Sequence, residues 1–148
     1  GVQIEIIKSL VGKHGLSLEL QGVSSHDEIS FATQSLINRA DVLYLITDNM
    51  VAKATAQIIN LANDAKTPVF GAEDGQFDLG MLASDSISYF ELGVQAGSVV
   101  KSILIDGKKP AEIAVETATK TNLLVSESVA KALGIEIPAA ILERANLK

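Results

Sequence analysis

The sequence predicts an α/β fold, a parallel sheet layered between helices, and three observations predict it. Segments with apolar residues at helical spacing alternate with short strand-like runs in the order α, β, α, β, α, β, β, α. Residues 42–46 (Val-Leu-Tyr-Leu-Ile) are continuously apolar, as expected of a strand buried on both faces. With 148 residues, 47% hydrophobic and 20% charged, the chain suits one compact domain with a sizeable core.

The elements follow in order. Ile4, Ile7, Leu10, Val11 and His14 share a helical stripe over residues 2–14, with Gly15 as the stop and His14 expected half-buried there. Residues 16–23 are short, β-compatible and end in polar Ser24-Ser25. Ser25 and Glu28 have the spacing of a capping box, and Ile29, Ala32, Leu36 and Ala40 recur behind it at helical intervals. Thr47-Asp48-Asn49 closes the strand at 42–46, and an Ala-rich helix is predicted over 49–64. Residues 67–71 (Thr-Pro-Val-Phe-Gly) read as a second buried strand, followed by a polar loop to Asp78 and a short strand at 81–84. Ser88-x-x-Glu91 opens a capped helix with Tyr89, Leu92, Ala96, Val99 and Ile103 along one face and Gly107 as its stop. Beyond Lys108-Lys109-Pro110 the character changes. Residues 113–116 and 123–125 look like short strands; 126–133 and 139–145 look like short helices, the latter entered at Pro138.

A parallel α/β unit normally begins with a strand, whereas this sequence begins with a helix. The chain is therefore expected to be a piece of a longer protein, its opening strand missing. In a flavodoxin-like order of 2-1-3-4-5, that strand would lie between residues 16–23 and 42–46. Its loss would leave unpaired backbone groups on both flanking strands. The expected remedies are sheet rearrangement, strand exchange between copies or a homodimer; a sheet of continuous order would contradict them.

Charge and residue types exclude several functions. A net charge of -6, with twelve scattered basic residues, disfavours nucleic acid as a partner. No apolar run approaches the roughly 20 residues of a membrane span. Cysteine is absent, which removes disulfides, thiolate chemistry and cysteine zinc sites. There is no G-x-G-x-x-G, Walker A loop or G-x-S-x-G elbow. The two histidines, His14 and a surface His26, are separated by a strand and lack the spacing of metal ligands. No cofactor, metal or enzymatic activity is expected.

Ligands of open α/β sheets bind beyond the carboxyl ends of the strands. That rule selects Ser24-Ser25-His26, Thr47-Asp48-Asn49 and Gly71-Ala72-Glu73-Asp74. Each has a structural alternative: Ser25 and Asp48 or Asn49 as helix caps, the 71–78 loop as solvated surface. The functional reading gives Asp48 and Asn49 an ammonium and a polar group of a ligand, with Glu73 and Asp74 as further acceptors. Tyr89 and Phe90 could form an aromatic wall, although helical spacing assigns at least one to the core.

At residues 44–49 (Tyr-Leu-Ile-Thr-Asp-Asn), 68–73 (Pro-Val-Phe-Gly-Ala-Glu) and 89–93 (Tyr-Phe-Glu-Leu-Gly), the sequence resembles the ABC transporter substrate-binding proteins of the type I periplasmic-binding fold. The resemblance is to the branch with tryptophan- and tyrosine-binding members. It extends through residues 80–83, 103–110, 113–116 and 130–138 (Ala-Lys-Ala-Leu-Gly-Ile-Glu-Ile-Pro), in order. It implies two lobes enclosing a ligand, with residues 1–108 as the second lobe and 109–148 as the hinge return and tail, packing on the first lobe. Asp48, Asn49, Gly71, Ala72 and Glu73 would then face a small-molecule ligand, an amino acid and by family bias an aromatic one, with Ser24 and Thr47 added to the site by the strand-end rule alone. The implied protein is extracytoplasmic, periplasmic or a membrane-anchored lipoprotein, and delivers its ligand to an ABC permease in the membrane. Two other readings compete: the effector-binding domain of a transcription regulator, which needs a DNA-binding headpiece upstream, and a sugar- or nucleotide-handling enzyme, for which a phosphate-cradling loop is lacking.

Overall fold

In the computed structural model, which describes residues 2–118 and 121–148, helices and short strands alternate as the sequence predicts between residues 29 and 104. Helix α1 (Val2–Val11) tightens into a 3-10 turn ended by Gly15, whose φ of 69° suits a residue without a side chain. A 3-10 turn, His26–Glu28, leads into α2 (Ile29–Ile37). Then come β1 (Leu43–Leu45), α3 (Asn49–Asp64), β2 (Val69–Gly71), β3 (Ala83–Ile87) and α4 (Tyr89–Leu104). The remainder forms β4 (Thr121–Val125), α5 (Glu127–Leu133), α6 (Ala139–Leu142) and β5 (Asn146–Leu147).

The five strands lie in the order β1-β2-β3-β4-β5. The pairs β1–β2 and β2–β3 are parallel, aligning Leu43 with Val69 and Gly71 with Ser84. Strand β4 departs from the parallel expectation: it runs antiparallel to β3, with Ile87 opposite Thr121 and Ala83 opposite Val125. The chain leaves β3 and re-enters at the same end of the sheet, so the opposite direction follows. Strand β5 pairs parallel to β4, and Ser126 N–H donates to the Leu82 carbonyl at 2.9 Å, tying the tail to this sheet.

One face of the sheet carries the core. Leu43, Val69 and Leu124 meet Ile29 of α2 and Ala54, Ile58, Ile59 and Ala62 of α3, with Phe77 and Met81 closing one side. The α3 positions recur at intervals of three and four, a stripe wide enough to bury one helix face. Ile59 is fully buried.

Several expectations are corrected. Residues 16–23 form no strand and the sheet is continuous without them, so the expected mid-sheet gap is absent among the described residues and leaves nothing for sheet rearrangement or strand exchange to repair; β1 is simply the outermost strand. Strand character needs a ladder, and this segment is held by side chains instead: Arg39 donates to Glu19 at 2.7 Å and to Gln21 at 3.5 Å. Residues 113–116 form no strand either, and Val115 is 97% exposed. Ser25 makes no cap; Glu28 reaches back one residue further, accepting the Ser24 N–H at 2.7 Å. His14 is exposed rather than half-buried. Tyr89 (60% exposed) and Phe90 (77%) both lie outside the core, because no described residue from Ile87 to Leu123 is buried. Among the described residues, no helix is long and apolar enough to cross a membrane.

Candidate functional site

The parallel strands β1 and β2 end side by side, which sets the 47–49 and 71–73 segments at one edge of the sheet. The ladder runs one step past β2, where Ala72 N–H donates to the Leu45 carbonyl at 3.0 Å. Asp48 then turns the chain into α3. Its backbone is extended (φ -149°, ψ 134°), and its Oδ1 accepts the N–H groups of Met50 at 2.8 Å and Val51 at 3.1 Å. Two of the donors orphaned at the helix start are thereby satisfied. Asp48 is a cap, and Oδ2 has no hydrogen-bond partner among the described residues.

Thr47 Oγ1 accepts a long hydrogen bond from Gln3 Nε2, 3.4 Å, which draws the start of α1 to the same edge. Asn49 is exposed on the first turn of α3. Gly71 is buried for a packing reason: a Cβ there would collide with Met81 Sδ. Ala72 and Glu73 are half-buried, and the Glu73 carbonyl accepts from Ser84 Oγ at 3.0 Å, pinning the turn to β3. Leu45, Ile46, Thr55, Gly71, Ala72 and Glu73 line a shallow depression of about 10 Å³, room for a water and no more. The structure therefore joins Gly71, Ala72 and Glu73 to the end of β1. Thr47, Asp48 and Asn49 follow on directly but do not line this depression, and neither does Ser24, whose N–H is engaged by Glu28.

Segments 43–49 and 71–76 contain Asp48, Glu73 and Asp74 and no basic residue, so this edge is negative in character. Nothing groups three acidic, histidine or cysteine side chains around a metal position among the described residues. Chemically, the edge is one open wall: carboxylate oxygens suited to a cation, beside backbone groups of a pinned turn. Gln3 and Gln76 were not singled out by sequence reasoning. Gln3 could have been, since the first helix of an alternating α/β unit starts at the ligand edge; Gln76 gave no signal beyond its loop.

The family model described as ABC transporter substrate binding protein matches residues 1–148. A tyrosine-binding protein of Clostridioides difficile (strain R20291) is 30% identical over 135 residues, covering 91% of this chain and 39% of that protein. A conserved domain protein from Vibrio cholerae O1 biovar eltor superposes with a TM-score of 0.87 at 37% identity, covering 99% of this chain and 49% of the other. An ABC domain from Streptococcus pneumonia, solved in complex with L-Trp, gives a TM-score of 0.87 at 27% identity, covering 99% and 50%. The chain thus spans about half the length of these solved relatives and less of the tyrosine-binding protein.

Proposed function

Because the chain belongs to the ABC transporter substrate-binding protein family, we propose that it supplies one lobe of an extracytoplasmic protein that captures an amino acid, preferably an aromatic one, for an ABC importer. The observation that carries this reading is the open, acidic wall at the carboxyl ends of β1 and β2, too shallow to enclose a ligand alone. A wall of this kind makes sense as half of a cleft. The tyrosine-binding relative and the L-Trp complex support the amino-acid class.

In this reading, the free Oδ2 of Asp48 and the carboxylate of Glu73 receive the ammonium group, while the 71–73 turn and Asn49 supply further polar contacts. Ser24 and Thr47 stand at the margin. Binding then works through hinge closure: a ligand touching both walls stabilises the closed arrangement, and a membrane permease receives that closed form. No bond is made or broken.

The division of the chain also takes a revised form in this reading. Residues 2–87 and 121–148 make one unit around the sheet, and 88–118 form an arm that packs on the opposite lobe. It differs from the division at residue 108 in the weight it gives to the tail strands, which pair in this sheet, and to residues 88–118, none of which is buried.

Calorimetric titration of the full-length expressed protein containing this chain, freed of ligand, tests the proposal against L-tyrosine, L-tryptophan, L-phenylalanine and the aliphatic amino acids. Saturable binding with preference for the aromatic ones is expected. Heat from none of them would overturn the amino-acid reading.

A further inference from the structure

The second face of the sheet holds a separate hollow. Residues there alternate with those in the core: Tyr44 is aligned with Phe70, Phe70 with Ala83, and Asp85 with Leu123. The tail faces them across a space of about 410 Å³, with Ile137 and Ile141 on its far wall. That volume lies within the range of small-molecule sites, roughly 300–1,000 Å³, and is far larger than the strand-end depression.

The lining is apolar with two exceptions in charge, Asp85 and Glu136, and no Lys, Arg or His lines it. Neither carboxylate has an ion-pair or hydrogen-bond partner among the described residues, where the three ion pairs join Lys8 to Glu5, Arg39 to Glu19 and Lys101 to Asp106. Tyr44 adds a phenol beside Asp85. Burial, and secondarily the Asp85 charge, hold that phenol above its usual pKa, so it stays neutral at physiological pH.

We propose that this hollow is a second ligand site, selective for a compact organic cation with an apolar body, of the arylalkylamine class. The apolar body gains by leaving water against Tyr44, Phe70 and the tail isoleucines. The ammonium meets two carboxylates that lack a counter-charge. Charge complementarity also sets the selectivity: a free amino acid would bring its own carboxylate toward Asp85 and Glu136, so the amine is preferred over the zwitterion. The proposal does not rest on the amino-acid reading above: the hollow lies against the other face of the sheet and meets the strand-end depression only at Gly71, which lines both.

The probe is 2-phenylethylamine, titrated into the isotope-labelled full-length protein and followed by amide chemical shifts, with 2-phenylethanol and L-phenylalanine as comparators. Expected are saturable shifts centred on Tyr44, Phe70, Leu123 and Ile137, with both comparators weaker. Asp85→Asn and Glu136→Gln, changes at exposed positions, should each weaken the amine about fivefold, the size of a partly exposed ion pair. The alcohol should be unaffected. Equal affinity for amine and alcohol would overturn the proposal, as would shifts confined to Asp48 and Glu73. So would a hollow closed to the probe by a second copy of the chain, visible as a dimer in light scattering.

Discussion

Asp48 is where the structural and functional readings of one residue can be separated. Replacing it with Ala removes an acceptor that now satisfies the Met50 and Val51 N–H groups, and a negative charge at the start of α3. Loss of an N-cap costs about 1 kcal/mol, and the charge on the helix dipole adds about 0.3–1 kcal/mol. The sum is about 1–2 kcal/mol, transmitted to the whole unit because α3 carries Ala54, Ile58, Ile59 and Ala62 into the core. With a urea slope of about 2 kcal/mol per molar, the midpoint should fall by roughly 0.5–1 M at unchanged slope. Asp48→Ser keeps the capping oxygen and loses only the charge, so it should recover most of that midpoint. Urea unfolding followed by circular dichroism reads both. A midpoint for Asp48→Ala equal to that of the parent would refute the capping argument. The serine variant also isolates the ligand role: stability retained with weakened amino-acid binding assigns the carboxylate to the ligand as well as to the helix.

Other expectations follow from particular contacts. Gly71→Ala should destabilise by about 1–3 kcal/mol through collision with Met81, and Met81→Ala should relieve part of that in the double variant, as thermal unfolding will show. Ile59→Ala, at a fully buried position between α3 and the sheet, should cost about 2–5 kcal/mol in the same assay. Amides of residues 16–23 should exchange with deuterium far faster than those of β2 and β3, since they belong to no ladder; equal protection would mean the segment is paired. Tyr44 is expected to titrate above its usual range. In a Tyr89→Phe background, Asp85→Asn should bring its absorbance transition down, leaving the part due to burial. The sign for stability follows: a folded-state pKa above the unfolded one gives a contribution complete below the unfolded pKa and lost as pH rises through the folded value.

What could be read in the sequence was local, and what could not depended on partners far along the chain. The apolar run around Leu43, the Ala54–Ile58–Ala62 spacing of α3 and the Ser88 cap, whose Oγ accepts the Glu91 N–H at 3.3 Å, each carry their signal within a few residues. Residues 16–23 failed for the opposite reason. The spacing of Leu16, Leu18 and Leu20 is strand-like, but a strand exists only where another strand accepts its backbone groups. Helical spacing grouped Tyr89 with Leu92 and Val99 without revealing whether anything covers that face. The antiparallel entry of β4 was equally hidden, since no short turn announces it. For the site, the strand-end rule found Asp48, Glu73 and the Gly71 turn, and capping spacing offered Asp48 or Asn49 as the helix cap, which the structure assigns to Asp48; that Gly71 is small on account of Met81 was hidden.

The stretch between β3 and β4 gives the two-lobe reading its mechanical content. Adjacent antiparallel strands can be joined by about two to five residues. Here residues 88–120 intervene, and the described ones include the full length of α4 without one buried side chain. A lone helix of that length is marginal in water, so its stability must come from a surface it packs on. Its outward side is shaped for this: Gly93 and Gly97 leave open space beside them, between the exposed rings and branches of Phe90, Val94 and Leu104. The roots of this arm, Ser88 and Thr121, emerge at the end of β3 where the parallel strands also deliver Asp48 and Glu73. An arm seated on the opposite lobe would therefore pull on the sheet beside the ligand wall, so that closing the cleft and moving the arm become one motion.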